Sequence, residues 1–304
     1  MNLRAGSKIS LRRNVLLSQY TTMQVGGPAE LFAEPANEQE LAAVLEYARQ
    51  EKVPFMVLGK GSNMVFPDTG YPGLVITLLQ FQKERMVFDL EKSTVKASGG
   101  VFLYRFVLAC RDKGLGGMEF LANIPGTIGG AVIMNAGFSR HAGQKNEIGD
   151  LIEEVTLMTY EGEKKVFAKG DVKFTYRHSS LPEGIVTDAR LRLWHRPKET
   201  IDQEIRACFQ YRNTKQDMRY PSSGSIFKNP PAPAPAAGAL IQELGLKGTR
   251  IGGIMVSEKH GNYFVNVGQG KCSELVQLIA LVQEKVFHAK GIWLEPEVRI
   301  IAKP

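Results

Sequence analysis

Apolar and polar positions in the first 100 residues alternate between the spacing of helices and that of strands. Asn37 and Glu40 stand as in a helix capping box, and apolar residues follow at helical spacing through Ala48. The apolar run 53–58 then predicts a strand that ends at a glycine-rich turn. The pattern also predicts strands at 74–78 and 93–98, and a helix at 101–111 that ends before Gly114. Glycines therefore stand at strand ends, where α/β proteins bind their ligands.

From Ile152 onward, strand patterns predominate. The segments 155–160 and 164–168 flank Glu161-Gly162 and predict a β-hairpin. Between Ile185 and Trp194 two sets of residues alternate strictly, which predicts an antiparallel strand with one buried face. This part of the chain is therefore predicted to be a second lobe that contains more strand than helix.

The last third of the chain returns to helical patterns. Thr200 with Gln203 has the form of another capping box and predicts a helix that runs toward Lys215. The sequence PAPAPAAG at 231–238 predicts a short connector in extended conformation. There follow a predicted short helix near Leu240–Leu244, a strand at 262–267, an amphipathic helix ended by Gly291, and a final strand at 296–301. We therefore predict three domains, at 1–81, 82–197 and 198–304, with the option that the last strand returns to an earlier domain.

The composition is that of a globular protein, with 304 residues of which 43% are hydrophobic and 23% are charged. No apolar window is long enough to cross a bilayer, and the amino terminus lacks the apolar core of a secretory signal, so we expect a cytoplasmic protein. The cysteines form no paired motif and the histidines no metal-binding spacing, so no metal site is predicted. The net charge of +7 suits either a nucleic acid or an acidic small molecule as partner, and composition leaves both open.

Two glycine-rich stretches carry the strongest chemical signal. They read LGKGSN at Leu58–Asn63 and NIPGTIGGAVIMNAG at Asn123–Gly137. Neither matches a nicotinamide fingerprint or a P-loop, yet glycines allow bare backbone N–H groups to converge on an anion. Two such loops indicate a ligand with more than one phosphate and a long body. The sequence therefore favours a dinucleotide held across two lobes.

Three further segments carry candidate catalytic side chains. Ser225 lies in the sequence GSIFKNP, where its hydroxyl could be a nucleophile, a proton donor or the hydrogen-bonding group of an ordinary turn. Arg177 follows Tyr176 and could clamp a carboxylate or be a solvated loop residue. Glu297 stands at the mouth of the last predicted strand, where a glutamate is commonly a surface residue. The residues alone leave these alternatives open.

Six segments, in order, resemble the UDP-N-acetylenolpyruvoylglucosamine reductase family: LGKGSN, IPGTIGGAVIMNAG, YRHS, GSIFKNP, RIGG with VSEKHGNYFVN, and LEPEVRI. The resemblance extends from about Tyr20 to Ile300. It implies an α+β protein with an FAD-binding fold of the vanillyl-alcohol-oxidase/p-cresol-methylhydroxylase type, in two subdomains at 1–81 and 82–197, and an α+β substrate domain at 198–304. The short distance from Arg177 to the next strand resembles the shorter, second type of the family, which lacks an inserted substrate-clamping tyrosine.

The resemblance also implies roles for individual residues. Catalytic roles fall on Arg177, Ser225 and Glu297, and substrate-binding roles on Tyr176, Lys215, Lys228 and Asn229. The implied cofactor-binding positions are Gly59, Lys60, Gly61, Ser62, Asn63, Met64, Asn123, Ile124, Pro125, Gly126, Thr127, Gly129, Gly130, Asn135, Ala136 and Gly137. Lys60 stands where the family often has glycine, and we expect its side chain to point outward. Further candidates for contacts with substrate anions are Arg219, Arg250 and Lys259.

The implied activity is that of a reductase that uses non-covalently bound FAD and NADPH. It would convert UDP-N-acetylglucosamine enolpyruvate to UDP-N-acetylmuramate for peptidoglycan synthesis, with hydride delivered through flavin N5 and the proton supplied by Ser225. The expected partner is a small UDP-sugar rather than a nucleic acid or a membrane, and the expected assembly is a monomer or weak oligomer. The alternatives are an FAD-dependent oxidase of the same fold, a non-catalytic nucleotide-binding or nucleic-acid-binding protein, and a serine hydrolase, for which the sequence offers no evident base.

Overall fold

The computed structural model describes residues 10–138 and 146–301, which combine helices with several small sheets. The α-helices of these residues are α1 (Glu38–Gln50), α2 (Leu103–Asp112), α3 (Ile128–Ile133), α4 (Ile148–Leu151), α5 (Lys198–Lys215), α6 (Ala237–Glu243) and α7 (Cys272–Lys290). The strands are β1 (Leu11–Leu16), β2 (Pro28–Ala33), β3 (Phe55–Leu58), β4 (Met64–Val65), β5 (Tyr71–Thr77), β6 (Met86–Asp89), β7 (Thr94–Ser98), β8 (Leu115–Gly116), β9 (Ile152–Met158), β10 (Lys164–Ala168), β11 (Phe174–Thr175), β12 (His178–Ser179), β13 (Ile185–Arg192), β14 (Trp194–His195), β15 (Ser222–Ser225), β16 (Arg250–Ile251), β17 (Ile254–Val256), β18 (Tyr263–Asn266) and β19 (Arg299–Ile300).

The chain divides into two compact units, each assembled from separated stretches of sequence. The first unit comprises the chain up to Arg12, Leu31–Lys60 and Gly73–Arg212. The second unit comprises Arg13–Glu30, Gly61–Pro72 and the chain from Asn213 onward. The division into three functional domains stays a prediction.

Helix α1 begins as its sequence predicts. The Asn37 side chain accepts a hydrogen bond from the Glu40 N–H at 2.9 Å, and the Glu40 carboxylate accepts one from the Ala36 N–H at 2.8 Å. Strands β3 and β5 pair in parallel, and Leu41 of α1 shares a buried apolar cluster with Leu74 of β5. The predicted helix and strands of this region are confirmed, and β3 leads directly into the first glycine-rich loop.

A five-stranded antiparallel sheet in the order β10-β9-β13-β7-β6 lies in the first unit, and it includes the predicted β9–β10 hairpin. The prediction that β13 buries one face is wrong for its first half, because Val186 and Asp188 are each 3% exposed. This strand is central, so both of its faces are covered: Ile185 and Val186 belong to different apolar clusters, and Arg85 forms an ion pair with Asp188. Exposed positions alternate with buried ones only from Arg190 onward.

The second unit is organised around a four-stranded antiparallel sheet in the order β15-β18-β17-β16. Helices α6 and α7 share its apolar core. Helix α7 buries the predicted apolar stripe, and Gly291 ends the helix with a left-handed φ of 67°, so both of these predictions are confirmed. The last strand, β19, pairs in parallel with β4.

Two local predictions in the last third of the chain are wrong. Helix α5 begins at Lys198 rather than at Thr200, because the Pro197 carbonyl already accepts an α-helical hydrogen bond from the Ile201 N–H at 3.2 Å. The connector 231–238 is not extended, since the Ala234 N–H donates to the Pro231 carbonyl in a turn. Its last two residues belong to α6, which spans Ala237–Glu243. Composition predicts that a proline-rich segment avoids helix, but it does not show where such a segment turns.

Candidate active site

The first glycine-rich loop follows β3 and offers unused backbone donors. Within the described residues, the N–H groups of positions 59–62 have no hydrogen-bond acceptor. Gly61 has a φ of 64°, and a Cβ placed on it would lie 2.1 Å from the Tyr20 carbonyl oxygen, so only glycine fits there. The loop therefore keeps a row of donors available for an anionic ligand.

The second glycine-rich loop comes close to the first within the first unit. A Cβ on Gly59 would lie 3.0 Å from the Thr127 hydroxyl oxygen. Thr127 also caps α3, since its side chain accepts a hydrogen bond from the Gly130 N–H at 3.4 Å. In the described part of the chain, the N–H groups of Gly126 and Thr127 have no acceptor. Backbone donors of both loops thus lie near Gly59, which suits a ligand with more than one phosphate.

Asn135 holds the second loop in place. Its side chain is fully buried, and its Nδ2 donates to Glu147 Oε2 and to the Thr175 carbonyl, both at 2.9 Å. Its Oδ1 accepts a hydrogen bond from the Gly149 N–H at 3.0 Å. These bonds occupy the amide group, so any contribution of Asn135 to a cofactor site is one of positioning the loop.

Two other side chains of the predicted cofactor loops also have partners inside the first unit. Asn123 is buried, and its Nδ2 donates to the Cys208 carbonyl at 3.0 Å. The Lys60 ammonium lies 5.4 Å from the centroid of the Phe102 ring, in a cation–π contact. The backbone of these loops, more than their side chains, is therefore what remains available to a ligand.

Arg177 lies in a two-residue turn between β11 and β12. Its φ of 56° is in the left-handed region, which costs a non-glycine residue about 1 kcal/mol. The guanidinium carbon lies 5.0 Å from the centroid of the Tyr176 ring. The Ser179 hydroxyl donates to the Ile133 carbonyl at 3.0 Å, so this hairpin is attached to the end of α3. The structure thus ties the Arg177 turn to the helix that carries the second glycine-rich loop.

Ser225 ends β15 beside a β-bulge in the second unit. Ser222 pairs with Val265 but Ser225 pairs with Tyr263, so β15 contains one extra residue. Gly224, with a φ of 77°, supplies the left-handed residue of this bulge. A bulge bends its strand and redirects the next side chain, and bulges are frequent beside active sites. The half-buried Ser225 is therefore placed as a functional hydroxyl would be.

Glu297 is attached to the same part of the second unit through its backbone. Its N–H donates to the Ile226 carbonyl at 2.7 Å, and its carbonyl accepts a hydrogen bond from the Asn63 side-chain amide at 3.0 Å. The Asn63 carbonyl accepts a further bond from the Arg299 N–H at 2.9 Å. Because Ile226 follows Ser225, the structure brings Ser225, Glu297 and Asn63 of the first loop together.

Asn262 organises the chain after Ser225 and was not predicted from the sequence. Its Oδ1 accepts a hydrogen bond from the Phe227 N–H at 2.9 Å, and its Nδ2 donates to the Phe227 carbonyl at 2.8 Å. Its own carbonyl accepts a bond from the Ile226 N–H at 2.9 Å. Its side chain therefore pairs with a backbone residue as a neighbouring strand would. The sequence offers only an asparagine before an apolar strand, which is typical of any turn.

The predicted substrate-binding residues differ in their surroundings. Lys228 Nζ pairs with Glu295 Oε1 at 2.5 Å, and Asn229 Oδ1 accepts a hydrogen bond from the Ala237 N–H at 3.2 Å. Both side chains therefore fix the loop that follows Ser225. Tyr176, in the first unit, and Lys215, in the second, are exposed.

Among residues 10–138 and 146–301, no helix is both long and apolar enough to span a membrane. Nor do these residues bring three His, Cys, Asp or Glu side chains together as a metal site would. The cysteine thiols are buried, and burial raises the pKa of Cys272 to about 11. Burial likewise raises the pKa of the Cys110 thiol far above its ordinary value, so neither group is a reactive thiolate.

Comparison with known families assigns most of the chain. Residues 29–167 match the FAD binding domain, and residues 216–301 match the C-terminal domain of UDP-N-acetylenolpyruvoylglucosamine reductase. Both glycine-rich loops fall in the first match, and Ser225 and Glu297 fall in the second. The predicted α+β fold with an FAD-binding domain is confirmed.

Individual relatives match over nearly the whole length. A UDP-N-acetylenolpyruvoylglucosamine reductase of Moorella thermoacetica is 39% identical over 299 residues, which cover 98% of this chain and 95% of the relative. One of Streptococcus pyogenes is 41% identical over 297 residues, which cover 97% of each chain. The crystal structure of the UDP-N-acetylenolpyruvylglucosamine reductase of Thermus caldophilus aligns with a TM-score of 0.80 and 36% identity, covering 97% of this chain and 99% of that one. The chain therefore belongs to the UDP-N-acetylenolpyruvoylglucosamine reductase family.

Proposed function

We propose that this protein reduces the enolpyruvyl group of UDP-N-acetylglucosamine enolpyruvate, yielding UDP-N-acetylmuramate, with FAD as cofactor and NADPH as electron donor. The observation that carries this proposal is the similarity to reductases of this name over 98% of the chain. The backbone linkage between the Ser225 and Glu297 segments supports it, because both predicted catalytic residues then lie in one part of the second unit. We expect the reaction to take place in the cytoplasm, as a step of peptidoglycan precursor synthesis.

The two glycine-rich loops fit FAD. They hold N–H groups without protein acceptors at 59–62 and at Gly126 and Thr127, and a pyrophosphate needs several such donors. Side chains larger than hydrogen would close the approach at Gly59 and Gly61. In this proposal the loops hold the cofactor at positions 59–64, 123–127, 129, 130 and 135–137. Bound FAD supplies the hydride chemistry that amino-acid side chains lack.

Ser225 is the proposed proton donor. A serine hydroxyl gives up its proton only to a strongly basic centre, such as the carbon next to the substrate carboxylate once hydride has been added to the alkene. The bulge at Gly224 and the bonds from Asn262 to Phe227 fix the backbone on both sides of this hydroxyl. Lys228 and Asn229 hold the loop that follows, through Glu295 and Ala237.

Arg177 and Glu297 are proposed to act on the substrate carboxylate. A guanidinium can bind a carboxylate through two parallel hydrogen bonds and stabilises the negative charge that develops there. The left-handed turn at Arg177 restricts where its side chain can project. Glu297 is the proposed orienting group, and its backbone is held by Ile226 and Asn63. Tyr176 and Lys215 are proposed to contact the remainder of the substrate.

The visible spectrum of the purified protein tests the cofactor assignment. We expect a yellow protein whose flavin absorbance is bleached by NADPH and restored by the enolpyruvyl substrate. Colourless protein after reconstitution with FAD would instead favour a non-catalytic nucleotide-binding protein. Bleaching without recovery would favour an enzyme of the same fold that acts on another substrate.

Rapid-mixing kinetics of a Ser225→Ala variant test the proton donor. We expect the rate of flavin reduction by NADPH to stay near that of the wild type, while reoxidation by substrate falls by about 10²- to 10⁴-fold. Ser223→Ala is the matched control, because Ser223 lies on the same strand and its buried hydroxyl has no hydrogen-bond partner in the described chain. Equal losses in both half-reactions would contradict the assigned role.

A further inference from the structure

The second unit contains a buried carboxylate that holds an exposed arginine. The Asp217 side chain is 1% exposed, whereas the Arg219 side chain is 62% exposed. Arg219 Nε donates to Asp217 Oδ1 and Arg219 Nη2 donates to Oδ2, both at 2.9 Å. The hydrogen bonds from Arg219 lower the pKa of Asp217 despite its burial, so the carboxylate stays ionised at neutral pH. The two side chains form a bidentate ion pair in which Asp217 is buried and Arg219 is open to solvent.

This ion pair restricts the direction of the guanidinium. The Ser257 hydroxyl donates to Asp217 Oδ2 at 3.2 Å, so the carboxylate itself is held from a second side. Arg219 Cζ lies 5.4 Å from the centroid of the Tyr220 ring. In the part of the chain that the structure describes, Arg219 Nη1 has no hydrogen-bond acceptor. Burying a carboxylate costs free energy. Here the buried Asp217 fixes the orientation of Arg219 and leaves one N–H edge of the guanidinium available.

The cluster lies at the same end of the four-stranded sheet as Ser225. Ser225 pairs with Tyr263 on β18, and the Ser257 N–H donates to the Tyr263 carbonyl at 2.8 Å. Ser257 is therefore two strands away from Ser225, or about 10 Å at the usual strand spacing. The Asp217 carboxylate is hydrogen-bonded to Ser257 and paired with Arg219. Arg219 therefore lies near this end of the sheet, at a distance from the proposed proton donor Ser225.

Charges of both signs lie near the cluster. The Lys259 ammonium donates to the Asn213 carbonyl, and the Lys259 N–H donates to Ser257 Oγ at 3.0 Å. Lys215 lies at the exposed end of α5, two positions before Asp217. Glu258 contributes the opposing charge that acts on Arg219 besides Asp217. The exposed and oriented guanidinium of Arg219 is thus the group of this cluster that suits a phosphate.

We propose that Arg219, oriented by Asp217 and Ser257, binds the diphosphate of the UDP-sugar substrate. This inference rests on the proposed function and adds the anion site that its substrate requires. In the substrate one sugar ring separates the diphosphate from the enolpyruvyl group. The residue that binds the diphosphate should therefore lie some distance from Ser225, as Arg219 does. In this proposal Arg219 holds the diphosphate from the loop before β15.

Steady-state kinetics of Arg219→Gln provide the first test. We expect KM for the UDP-sugar to rise by about 10- to 100-fold, the value of a charged hydrogen bond to phosphate, with kcat within about threefold of the wild type. The matched control is Arg13→Gln, which removes the same charge from an exposed position of β1 in the same unit. An equal rise in KM for the control would overturn the proposal, because it would show a general effect of charge.

NADPH also carries phosphates, so KM for NADPH distinguishes the two sources of the anion. The proposal predicts that Arg219→Gln leaves this constant unchanged. A rise in KM for NADPH alone would assign Arg219 to the electron donor and overturn the inference.

Calorimetric titration of the FAD-loaded protein with UDP and with uridine gives a readout that needs no turnover. We expect Arg219→Gln to weaken UDP binding by about 10- to 100-fold and to leave uridine binding unchanged. Asp217→Asn should give a smaller loss for UDP, because Arg219 keeps its charge but loses its fixed direction. Wild-type protein without turnover would contradict the proposed function. An active Arg219→Gln variant with unchanged UDP affinity would contradict only this inference.

Discussion

The side-chain amide of Asn63 donates a hydrogen bond to the backbone carbonyl of Glu297 at 3.0 Å, across 234 positions of sequence. The Asn63 carbonyl accepts a bond from Arg299 at 2.9 Å, so one residue of the first glycine-rich loop holds the backbone on both sides of Val298. The loop proposed to bind FAD and the segment proposed to orient the substrate are thus mechanically connected within the second unit.

Asn63→Asp should break this connection while preserving shape. The carboxylate cannot donate and would face the Glu297 carbonyl oxygen, so we expect the free energy of unfolding to fall by about 1–3 kcal/mol. Denaturant unfolding measures the loss. Asn213→Asp, at an exposed position of the same unit, is the control and should stay within about 0.5 kcal/mol of the wild type. Equal losses in the two variants would show that the hydrogen bond from the Asn63 side chain to the Glu297 carbonyl does not contribute measurably to stability.

Two glycines of the second unit predict responses to alanine that differ in size. Gly61 and Gly224 both have a left-handed φ, of 64° and 77°. A Cβ on Gly61 would lie 2.1 Å from the Tyr20 carbonyl oxygen, whereas a Cβ on Gly224 would have no atom within 4 Å. We expect Gly224→Ala to cost about 1–2 kcal/mol from backbone strain alone. Gly61→Ala should cost more than that and reduce FAD content, because the loop must move. Thermal unfolding and the ratio of bound flavin to protein check both variants, and comparable behaviour of the two would contradict the steric argument.

The Asn135 side chain should be among the most sensitive positions of the first unit. It is fully buried and bonds to Glu147, Thr175 and Gly149, so Asn135→Gly should destabilise the protein by about 3 kcal/mol or more. Asn135→Ala loses the same bonds and must also adopt a φ of 43°, which adds about 1 kcal/mol. Denaturant unfolding of both variants tests whether alanine is the less stable of the two. An alanine variant more stable than the glycine variant would contradict the predicted cost of backbone strain at position 135.

His260 predicts a loss of stability in mild acid. Burial, reinforced by Lys247, lowers the pKa of His260 below its ordinary value of 6.5, and its Nδ1 accepts a hydrogen bond from the Asn262 N–H at 3.1 Å. A protonated Nδ1 cannot accept this bond. Because the folded-state pKa is depressed, the unfolded chain binds the proton more readily. The stability that neutral His260 contributes is therefore fully present above pH 6.5, the ordinary pKa of the side chain. It is lost as the pH falls through the folded-state pKa.

Unfolding measured between about pH 5 and about pH 8 checks this prediction. The wild type should lose stability toward the acid end, and His260→Gln should flatten that part of the curve. An identical pH dependence in both proteins would assign the effect to other groups. Loss of the Asn262 bond should also loosen the segment after Ser225, so activity should fall in parallel with stability.

Elements with strong local patterns could be predicted from the sequence. Helix α1 has both halves of its capping box, and α7 has an apolar stripe ended by Gly291, so short-range signals determine where they begin and end. The two-sided burial of Asp188 could not be read from its strand, because it depends on what packs against each face. The turn at Pro231 depends on a single local hydrogen bond that composition does not encode.

The candidate site divides in the same way. The glycine-rich loops and the GSIFKNP segment are recognisable as motifs, since close backbone approach demands glycine. Contacts between residues far apart in the sequence are not recognisable in this way. Asn262 bonds to Phe227 over 35 positions, and the orientation of the exposed Arg219 depends on the buried Asp217. The loops are recognisable in the sequence, whereas the structure shows which side chains hold them in place.

The parallel pairing of β19 with β4 has a consequence for biosynthesis. Residues 64–65 leave the ribosome long before their partners at 299–300 exist, so the first glycine-rich loop lacks this support until residue 300 has been translated. A nascent chain stalled before Glu297 would carry the complete FAD-binding sequence at 29–167, yet Asn63 would lack its bonds to Glu297 and Arg299. Tight retention of the flavin should thus appear only after residues 299–300 have been translated, and a chain truncated before them should bind its cofactor weakly.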